Sequence, residues 1–478
     1  MNPPCDVLLS GNDYQTLHGH LFPGDQDEHG AVIAVSAVET ARGVRLLGQR
    51  VFCAQDGVDY VPGTRGYREL RAEFIADCLE YCRDNGLGYL AVHNHGGVER
   101  VAFSEMDLAS HVRGYPALLD LLKGQPAGAL VFAKAAVAGD VWFRDGRRMA
   151  TRSVRIIDTP IRHLTATPAD DTDADHRFHR QVLMFGAAGQ ARLRHCRVAI
   201  VGLGGVGSLL VEYLARLGVG ELLLIDPERL TVSNLSRVAG ATQWDVRWPF
   251  SAAWAPPWIQ RIAGRLSAQK TRIATRVARR ASPSCDITAI TDNVAQRAVA
   301  HACRDSDFVF LAADSMQARL TVNALVQQYL IPGLQIGSKI VTANEGRELV
   351  DAYSVVRWLR PGSGCLWCNG LILPERLAWE AKTDRERRDQ QYGLDEPNPS
   401  VIALNAVGAA HASGRFMSSY LGLSDNVPST DLRAHLLHGA ICHDQPRRDP
   451  GCPECGSDGR LGRGDTRSLP TLSGGGAD

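Results

Sequence analysis

The sequence predicts an α/β chain whose larger part is a Rossmann-like domain, and three stretches carry that prediction. The apolar run Val198 to Val201 reads as a buried parallel strand, and it feeds into Gly202, Gly204 and Gly207 in G-x-G-x-x-G spacing, with a helical pattern from Ser208 to Leu217. A second apolar strand, Glu221 to Ile225, ends in Asp226. Upstream, strand and helix patterns alternate over a separate stretch that closes in the polar, broken run TATPADDTDAD at 165–175. The chain therefore divides into an N-terminal α/β domain at 1–165, a linker at 166–175, a nucleotide-binding domain at 176–458 and a Gly/Ser/Arg-rich tail at 459–478 that is expected to be disordered.

Length and composition agree with two domains. The 478 residues can bury more than one core, and Lys plus Arg equals Asp plus Glu at 52 each. The overall balance advertises neither nucleic acid nor an anionic membrane surface, although local patches remain compatible with it. No apolar run reaches about 18 residues and the N-terminus lacks a basic segment leading into an apolar one, so a cytoplasmic protein is expected. Twelve cysteines are too few for a disulfide scaffold and are better read as metal ligands, redox groups or core.

In chain order, a helix is expected over Asn12 to Leu21, strands over Ala31 to Ala37 and Val44 to Phe52, and a helix over Arg68 to Cys82 with Cys78 and Cys82 in the core. The next strand, Tyr89 to Val92, runs into His93-Asn94-His95. Two histidines alternating on an extended segment can aim two nitrogens the same way, and Asp107, in the apparent helix start Ser104-Glu-Met-Asp107, can add a carboxylate. That set suits a zinc ion with one position left for water. A strand pair at Ala129 to Ala136 and Asp140 to Phe143 completes this domain.

His-x-His followed by Ser-x-x-Asp, with HNHGG and FSEMDL, resembles the JAMM (MPN/JAB) metalloproteases of bacterial type. The resemblance implies a catalytic Zn²⁺ on His93, His95 and Asp107, an oxyanion held by Ser104, and a glutamate base from an earlier strand. Glu28 occupies the matching place, and Glu39 at the end of that strand is the alternative. Eight residues separate His95 from Ser104, one more than the commonest spacing of that family.

In the second domain, the glycine turn lets the backbone approach phosphate oxygens at a helix N-terminus, and Asp226 is placed to accept hydrogen bonds from ribose hydroxyls. These features fit NAD and ATP alike. Asn234 and Arg237 of S-N-L-S-R, Lys270, and Asp314 after the strand Phe308 to Ala312 favour ATP, because two cations, an amide and a carboxylate suit a triphosphate with Mg²⁺. From Arg177-Phe-His-Arg180-Gln through GLGGVG, Asp226, SNLSR, Lys270 and Asp314 to PNPSVIALNAVGAA at 397–410, the sequence resembles the ThiF/MoeB and ubiquitin-activating adenylyltransferases. That resemblance implies a homodimer in which Arg180 reaches the neighbouring subunit's ATP site, and a crossover loop at Lys382 to Gln391.

Between Arg237 and Lys270 lies an insertion at 244–260, WDVRWPFSAAWAPPWIQ, which is expected to pack on the domain or on a partner. Cys365 and Cys368, and Cys452 and Cys455, form two C-x-x-C turns, each able to place two thiolates on one tetrahedral Zn²⁺. They resemble the structural zinc of the same family. Cys442, between the two knuckles, is a candidate thioester nucleophile or a spare thiol.

Together the two resemblances imply ATP-dependent adenylation of a ubiquitin-like β-grasp protein at a Gly-Gly tail, with zinc-dependent cleavage at that tail and a conjugating enzyme as a further partner. No nucleic acid or membrane is expected. A sulfur-carrier adenylyltransferase with a carrier-trimming peptidase is the near alternative. A NAD-dependent oxidoreductase and a non-catalytic scaffold that binds a ubiquitin-like protein are the alternatives of other classes.

Overall fold

Strand pairing explains where each functional residue lies. The computed structural model describes residues 4–62, 66, 68–168, 175–343, 348–382, 399–456 and 458–472. Chain contacts separate two units: Met1–Asp170 with Gln327–Leu330 and Gly456–Ser468, and Asp171–Val326 with Ile331–Cys455 and the chain from Leu469. Among the described residues no helix is long and apolar enough to cross a membrane.

The first unit is built on strands β1 (Cys5–Ser10), β2 (Gly30–Thr40), β3 (Gly43–Cys53), β4 (Gly88–Asn94), β5 (Ala127–Phe132), β6 (Val137–Trp142), β7 (Arg148–Ile157) and β8 (Arg162–Leu164). Their order is β1-β3-β2-β4-β5-β6-β7-β8, and β1 also pairs in parallel with β7, so the sheet closes on itself. The period of two sorts the side chains between two cores. Ile33, Val35, Leu90, Leu130 and Phe132 face helix α1 (Gly11–Leu21), which contributes Tyr14, Leu17 and Leu21. Val32, Ala34 and Tyr89 face the other way, toward Cys78 and Cys82 of α2 (Ala72–Asp84) and Leu119 of α3 (Glu105–Leu121).

Helix α2 begins at Ala72, not at Arg68. Residues 68–71 are held extended instead: Leu70 bridges to Tyr60, and the Arg68 guanidinium lies 3.6 Å over the Tyr60 ring. The two cysteines are buried as core residues, and burial pushes the thiols of both up to about 12.

Two boundary expectations need correction. Ala166 is not linker, because its carbonyl, like that of Thr165 before it, accepts from the first unit, here from Val101 N; residues 169–174 lie outside the described residues. The tail is not disordered from Gly459. Gly462 (φ +63) sits so close to β3 that a Cβ there would meet the Gly48 carbonyl at 2.4 Å. Tyr329 donates to Asp465 at 2.7 Å, and Gln328 donates to the Gly464 carbonyl at 2.7 Å. A glycine-rich composition marks backbone freedom, and here that freedom serves close packing rather than disorder.

The second unit holds β9 (Arg197–Val201), β10 (Glu221–Ile225), β11 (Asp286–Ile290), β12 (Phe308–Leu311), β13 (Gly333–Ala343), β14 (Glu348–Leu359), β15 (Asp431–His435) and β16 (Ile441–Asp444) in the order β11-β10-β9-β12-β13-β14-β15-β16. The pairings from β11 to β13 are parallel and the rest antiparallel. Helices α4 (His179–His195), α5 (Gly205–Leu217), α6 (Pro257–Leu266), α7 (Lys270–Ala281), α8 (Arg297–Ala302), α9 (Met316–Tyr329), α10 (Pro374–Glu380) and α11 (Ile402–Tyr420) complete the described elements. The chain runs outward from β9 to β10 on one side and returns to β12 on the other. The carboxyl ends of β9 and β12 therefore flank the crevice where open α/β sheets bind ligands.

Candidate functional sites

At that crevice the glycine turn is sterically required. Gly202 has φ +92 and donates to the Ile225 carbonyl at 2.9 Å; a Cβ on it would meet Ala313 N at 2.6 Å, and one on Gly207 would meet the Gly202 carbonyl at 1.8 Å. Gly204 is the N-cap of α5, so that helix presents its first N–H groups at the turn. Asp226 is buried at the end of β10, where its carboxylate accepts from Leu203 N at 2.7 Å and from Glu228 N at 2.8 Å. Burial raises its pKa and the Lys270 charge opposes that rise.

Lys270 opens α7 with its ammonium on Glu228, a largely exposed carboxylate, while its stem is buried. Asn234 is buried at the end of a short 3₁₀ turn, its side chain accepting from the backbone N–H of the cap residue Thr231, and Arg237 donates to the Ser233 carbonyl at 3.1 Å. Asp314 is exposed three residues past the end of β12, level with the turn because Leu311 pairs with Val201 and Ala312 N donates to the Val201 carbonyl. Sequence reasoning passed over Asn405 of α11. Its amide nitrogen donates to Ser400, its oxygen accepts from Ser338 at 2.9 Å, and a Cβ on Gly205 would meet it at 2.2 Å. An asparagine in the otherwise apolar run VIALNAVGAA was the available signal. Arg180 is exposed in the first turn of α4, and residues 383–391 of the expected crossover loop lie outside the described residues.

The metal candidate in the first unit follows from two local rules. His93 and His95 share a face of the chain at the end of β4, with Nε2 atoms 3.2 Å apart. Ser104 and Asp107 form a capping box at the start of α3: Ser104 accepts from Asp107 N at 3.1 Å, and the carboxylate accepts from Ser104 N at 2.8 Å and Oγ at 2.7 Å. The same carboxylate oxygen lies 3.6 Å from His93 Nε2 and 3.5 Å from His95 Nε2. Ligand bonds of about 2.0–2.2 Å in a tetrahedron imply edges near 3.3–3.6 Å, so the set fits a zinc ion. Burial would raise the Asp107 pKa, but hydrogen bonds from His93 and Ser104 outweigh it and hold the carboxyl far below its usual range.

The ring of His95 is oriented from behind, its Nδ1 lying 3.1 Å from the Ala102 carbonyl, which leaves Nε2 for the ion. The long spacing from His95 to Ser104 is absorbed by a loop that bends at Gly97 (φ +113), with Ala135 donating to the Val98 carbonyl. Glu28 Oε1 stands 3.8 Å from His95 Nε2. Asn94 accepts from His29 N at 2.6 Å, which ties the start of β2 to the end of β4 beside His93 and His95. Glu39 is removed from the site. Gly30 pairs with His93, so Glu39 lies nine residues along β2, roughly 30 Å away, bonded to Arg147 at 2.5 Å.

The four knuckle cysteines also converge. Their sulfurs stand 3.7, 3.7 and 3.5 Å apart across Cys365–Cys368, Cys365–Cys452 and Cys368–Cys455, and all four lie within 4.8 Å of one another. Zn–S bonds of about 2.3 Å require tetrahedral edges of about 3.8 Å, so this set fits zinc as well. Hydrogen bonds from Cys455 and its other neighbours pull Cys365 down to about 5, while the resulting negative charge drives Cys455 up. Four sulfurs gathered from two distant turns at these separations suit a structural zinc. Cys442 is exposed on β16.

Residues 178–412 match the family described as the ThiF family. The Escherichia coli sulfur carrier protein ThiS adenylyltransferase is 29% identical over 285 residues, which is 59% of this chain and 94% of that protein. The SAMP-activating enzyme E1 of Haloferax volcanii is 30% identical over 165 residues, 34% of this chain and 53% of that one. The tRNA threonylcarbamoyladenosine dehydratase of Haemophilus influenzae is 28% identical over 148 residues, 31% of this chain and 49% of that one. The chain thus spans about half the length of the last two.

Proposed function

We propose that this chain, which matches the ThiF family over residues 178–412, adenylates the C-terminal carboxylate of a ubiquitin-like or sulfur-carrier β-grasp protein, and that its first unit cleaves at the same protein's glycine tail. The observation that carries the first half is the glycine turn at the switch point of a parallel sheet, with Asp226 accepting from Leu203 N, the Lys270 charge acting on Asp226, and Arg237 beside Gly205.

In this reading the α5 N-terminus and the turn receive phosphate oxygens, and Asp226 takes the ribose side. Lys270 exchanges Glu228 for the triphosphate, and Asn234 and Arg237 steady it as charge shifts at the α-phosphate. Mg²⁺, held by Asp314, would neutralise the leaving pyrophosphate. The carrier carboxylate attacks the α-phosphorus, the bond to the β-phosphate oxygen breaks, and acyl-AMP and pyrophosphate result. A sulfur carrier is supported by the name of the E. coli relative, and a ubiquitin-like modifier by the fusion to a peptidase-like unit; for the latter, Cys442 is the exposed thiol for a following thioester. An oxidoreductase would have no use for this density of charge beside the pyrophosphate. The test is ATP–pyrophosphate exchange with small proteins ending in Gly-Gly, beginning with any encoded beside this chain, and failure with all of them would remove the reading.

We assign residues 1–168 to the peptidase and 176–458 to adenylation. In the peptidase, Zn²⁺ on His93, His95 and Asp107 would supply a water acidic enough to attack an amide near neutral pH. Glu28 takes that proton and returns it to the leaving amine, and the Ser104 hydroxyl turns from Asp107 toward the oxyanion. Glu28→Gln is expected to lower cleavage of a carrier fusion by about 10²–10⁴-fold with bound zinc unchanged, whereas Glu39→Gln leaves cleavage intact. Full activity in Glu28→Gln would refute the assignment of the base.

We further propose, as the family resemblance implies, that Arg180 reaches the neighbouring subunit's ATP site. Mixing Arg180→Ala and Asp314→Ala proteins, each inactive in exchange, is expected to restore about a quarter of wild-type activity, since random reassortment gives half heterodimers with one intact site each. No recovery after subunit exchange has been verified would place Arg180 in its own subunit's site or outside it.

A further inference from the structure

The insertion and the two helices after it form the most unbalanced surface of the chain. Residues 242–281 carry eight Lys and Arg against one acid, Asp245, in a protein whose net charge is zero, and they hold four of its eight tryptophans. The backbone of the insertion is anchored: Asp245 receives two bonds from Arg276 at 2.9 and 2.7 Å, Arg247 donates to the Leu266 carbonyl at 2.7 Å, and Ala268 N donates to the Asp245 carbonyl. Its aromatic side chains are not covered. Trp244, Trp254 and Trp258 are 80%, 74% and 63% exposed.

On the same stretch of chain, a groove of about 640 Å³ runs along α7 and the edge strand β11. Arg272, Arg276, Arg279 and Arg280 line it with Thr271, Thr275 and Thr291, and no carboxylate does. Among the described residues only Arg276 of these arginines has an acidic partner, Asp245, the residue next to Trp244 in the chain. Arginines at i and i+4 repel one another by a few tenths of a kcal/mol per pair, and a helix that stacks Arg272, Arg276 and Arg280 gains nothing from them inside this chain.

We propose that this surface binds single-stranded nucleic acid, with the α7 groove following the phosphate backbone and the exposed tryptophans stacking bases. Guanidinium forks and threonine hydroxyls are complementary to phosphate oxygens, and flat, exposed indoles fixed on an anchored backbone are complementary to unstacked bases of any sequence. Charge complementarity decides for a polyanion, and the tryptophans decide for one with aromatic faces.

The test is fluorescence anisotropy of the full chain with labelled oligouridine and oligo-dT of about 20 nucleotides. Three free groove arginines set a salt slope of at least about −2, so affinity is expected to fall about 20-fold between about 50 and 200 mM salt. Arg272→Gln/Arg279→Gln/Arg280→Gln flattens that slope by about 2. Trp244→Ala/Trp254→Ala weakens binding about fivefold or more with the slope unchanged. All these positions are on the surface, and equal unfolding midpoints for the variants verify folding. No binding at low salt, binding untouched by both variants, or equal competition by polyglutamate or by phosphatidylserine vesicles would overturn the proposal; the last two would indicate an acidic protein partner or a membrane surface.

Discussion

Asp314→Ala is expected to reduce ATP–pyrophosphate exchange by about 10²–10³-fold, and Lys270→Ala by a similar factor, because in the proposed function each removes one charge that stabilises the triphosphate as it reacts. The carboxylate of Asp314 is exposed past the end of β12 and carries no packing role, so its loss leaves the sheet intact. An unchanged unfolding midpoint with exchange lost would place the defect in the chemistry. Raising Mg²⁺ should recover part of the Asp314→Ala rate, since a weakened metal site is filled by mass action, and should recover none for Lys270→Ala. Lys270 differs in one further respect. Its ammonium must leave Glu228 to reach a phosphate, so Glu228→Gln is expected to alter the KM for ATP more than kcat. Wild-type exchange in Asp314→Ala at low Mg²⁺ would show that another group holds the metal.

The second large effect is on stability. Cys365→Ser/Cys452→Ser is expected to remove one zinc per chain and to lower the unfolding midpoint by about 10 °C or more, given that a structural zinc contributes several kcal/mol and that about 1 kcal/mol shifts a domain of this size by about 2–4 °C. The cluster joins the turn after β14 to a segment more than 80 residues later, so its loss frees both. Metal analysis separates the two candidate centres. Wild type should carry about two zinc ions, the cysteine variant should keep the one on His93, His95 and Asp107, and His93→Ala/His95→Ala should keep the one on the four sulfurs with little change in midpoint. A cysteine variant with full zinc and an unchanged midpoint would refute a structural metal at this place.

What was legible in the sequence is local. The glycine turn could be read because only residues without a Cβ fit against Ala313 and the Gly202 carbonyl, a constraint that acts within a few residues of Gly202 and Gly207. The Ser104/Asp107 cap, the alternation of His93 and His95, and the C-x-x-C pairs are likewise properties of one turn, one strand or one knuckle, fixed by backbone periods of 3.6 and 2. Even the start of α2 was misplaced only because Arg68 and Leu70 are engaged by Tyr60, a contact that no helical periodicity contains.

The choice between Glu28 and Glu39 was different in kind. Both precede or end the same strand, and only the register that sets Gly30 opposite His93 brings one carboxylate to the face of His93 and His95 and carries the other to Arg147. Register, the bend at Gly97 that accommodates one extra residue, the glycine tail lying against β3, and the tryptophans left uncovered on an anchored insertion all depend on segments far apart in sequence packing in one particular way. The sequence by itself determined which residues could serve as turn, cap and ligand, because those rules need only neighbouring atoms. Tertiary structure alone decided which of them meet, because strand register and burial are settled by the shared packing of distant segments and not by the local propensity of any one of them.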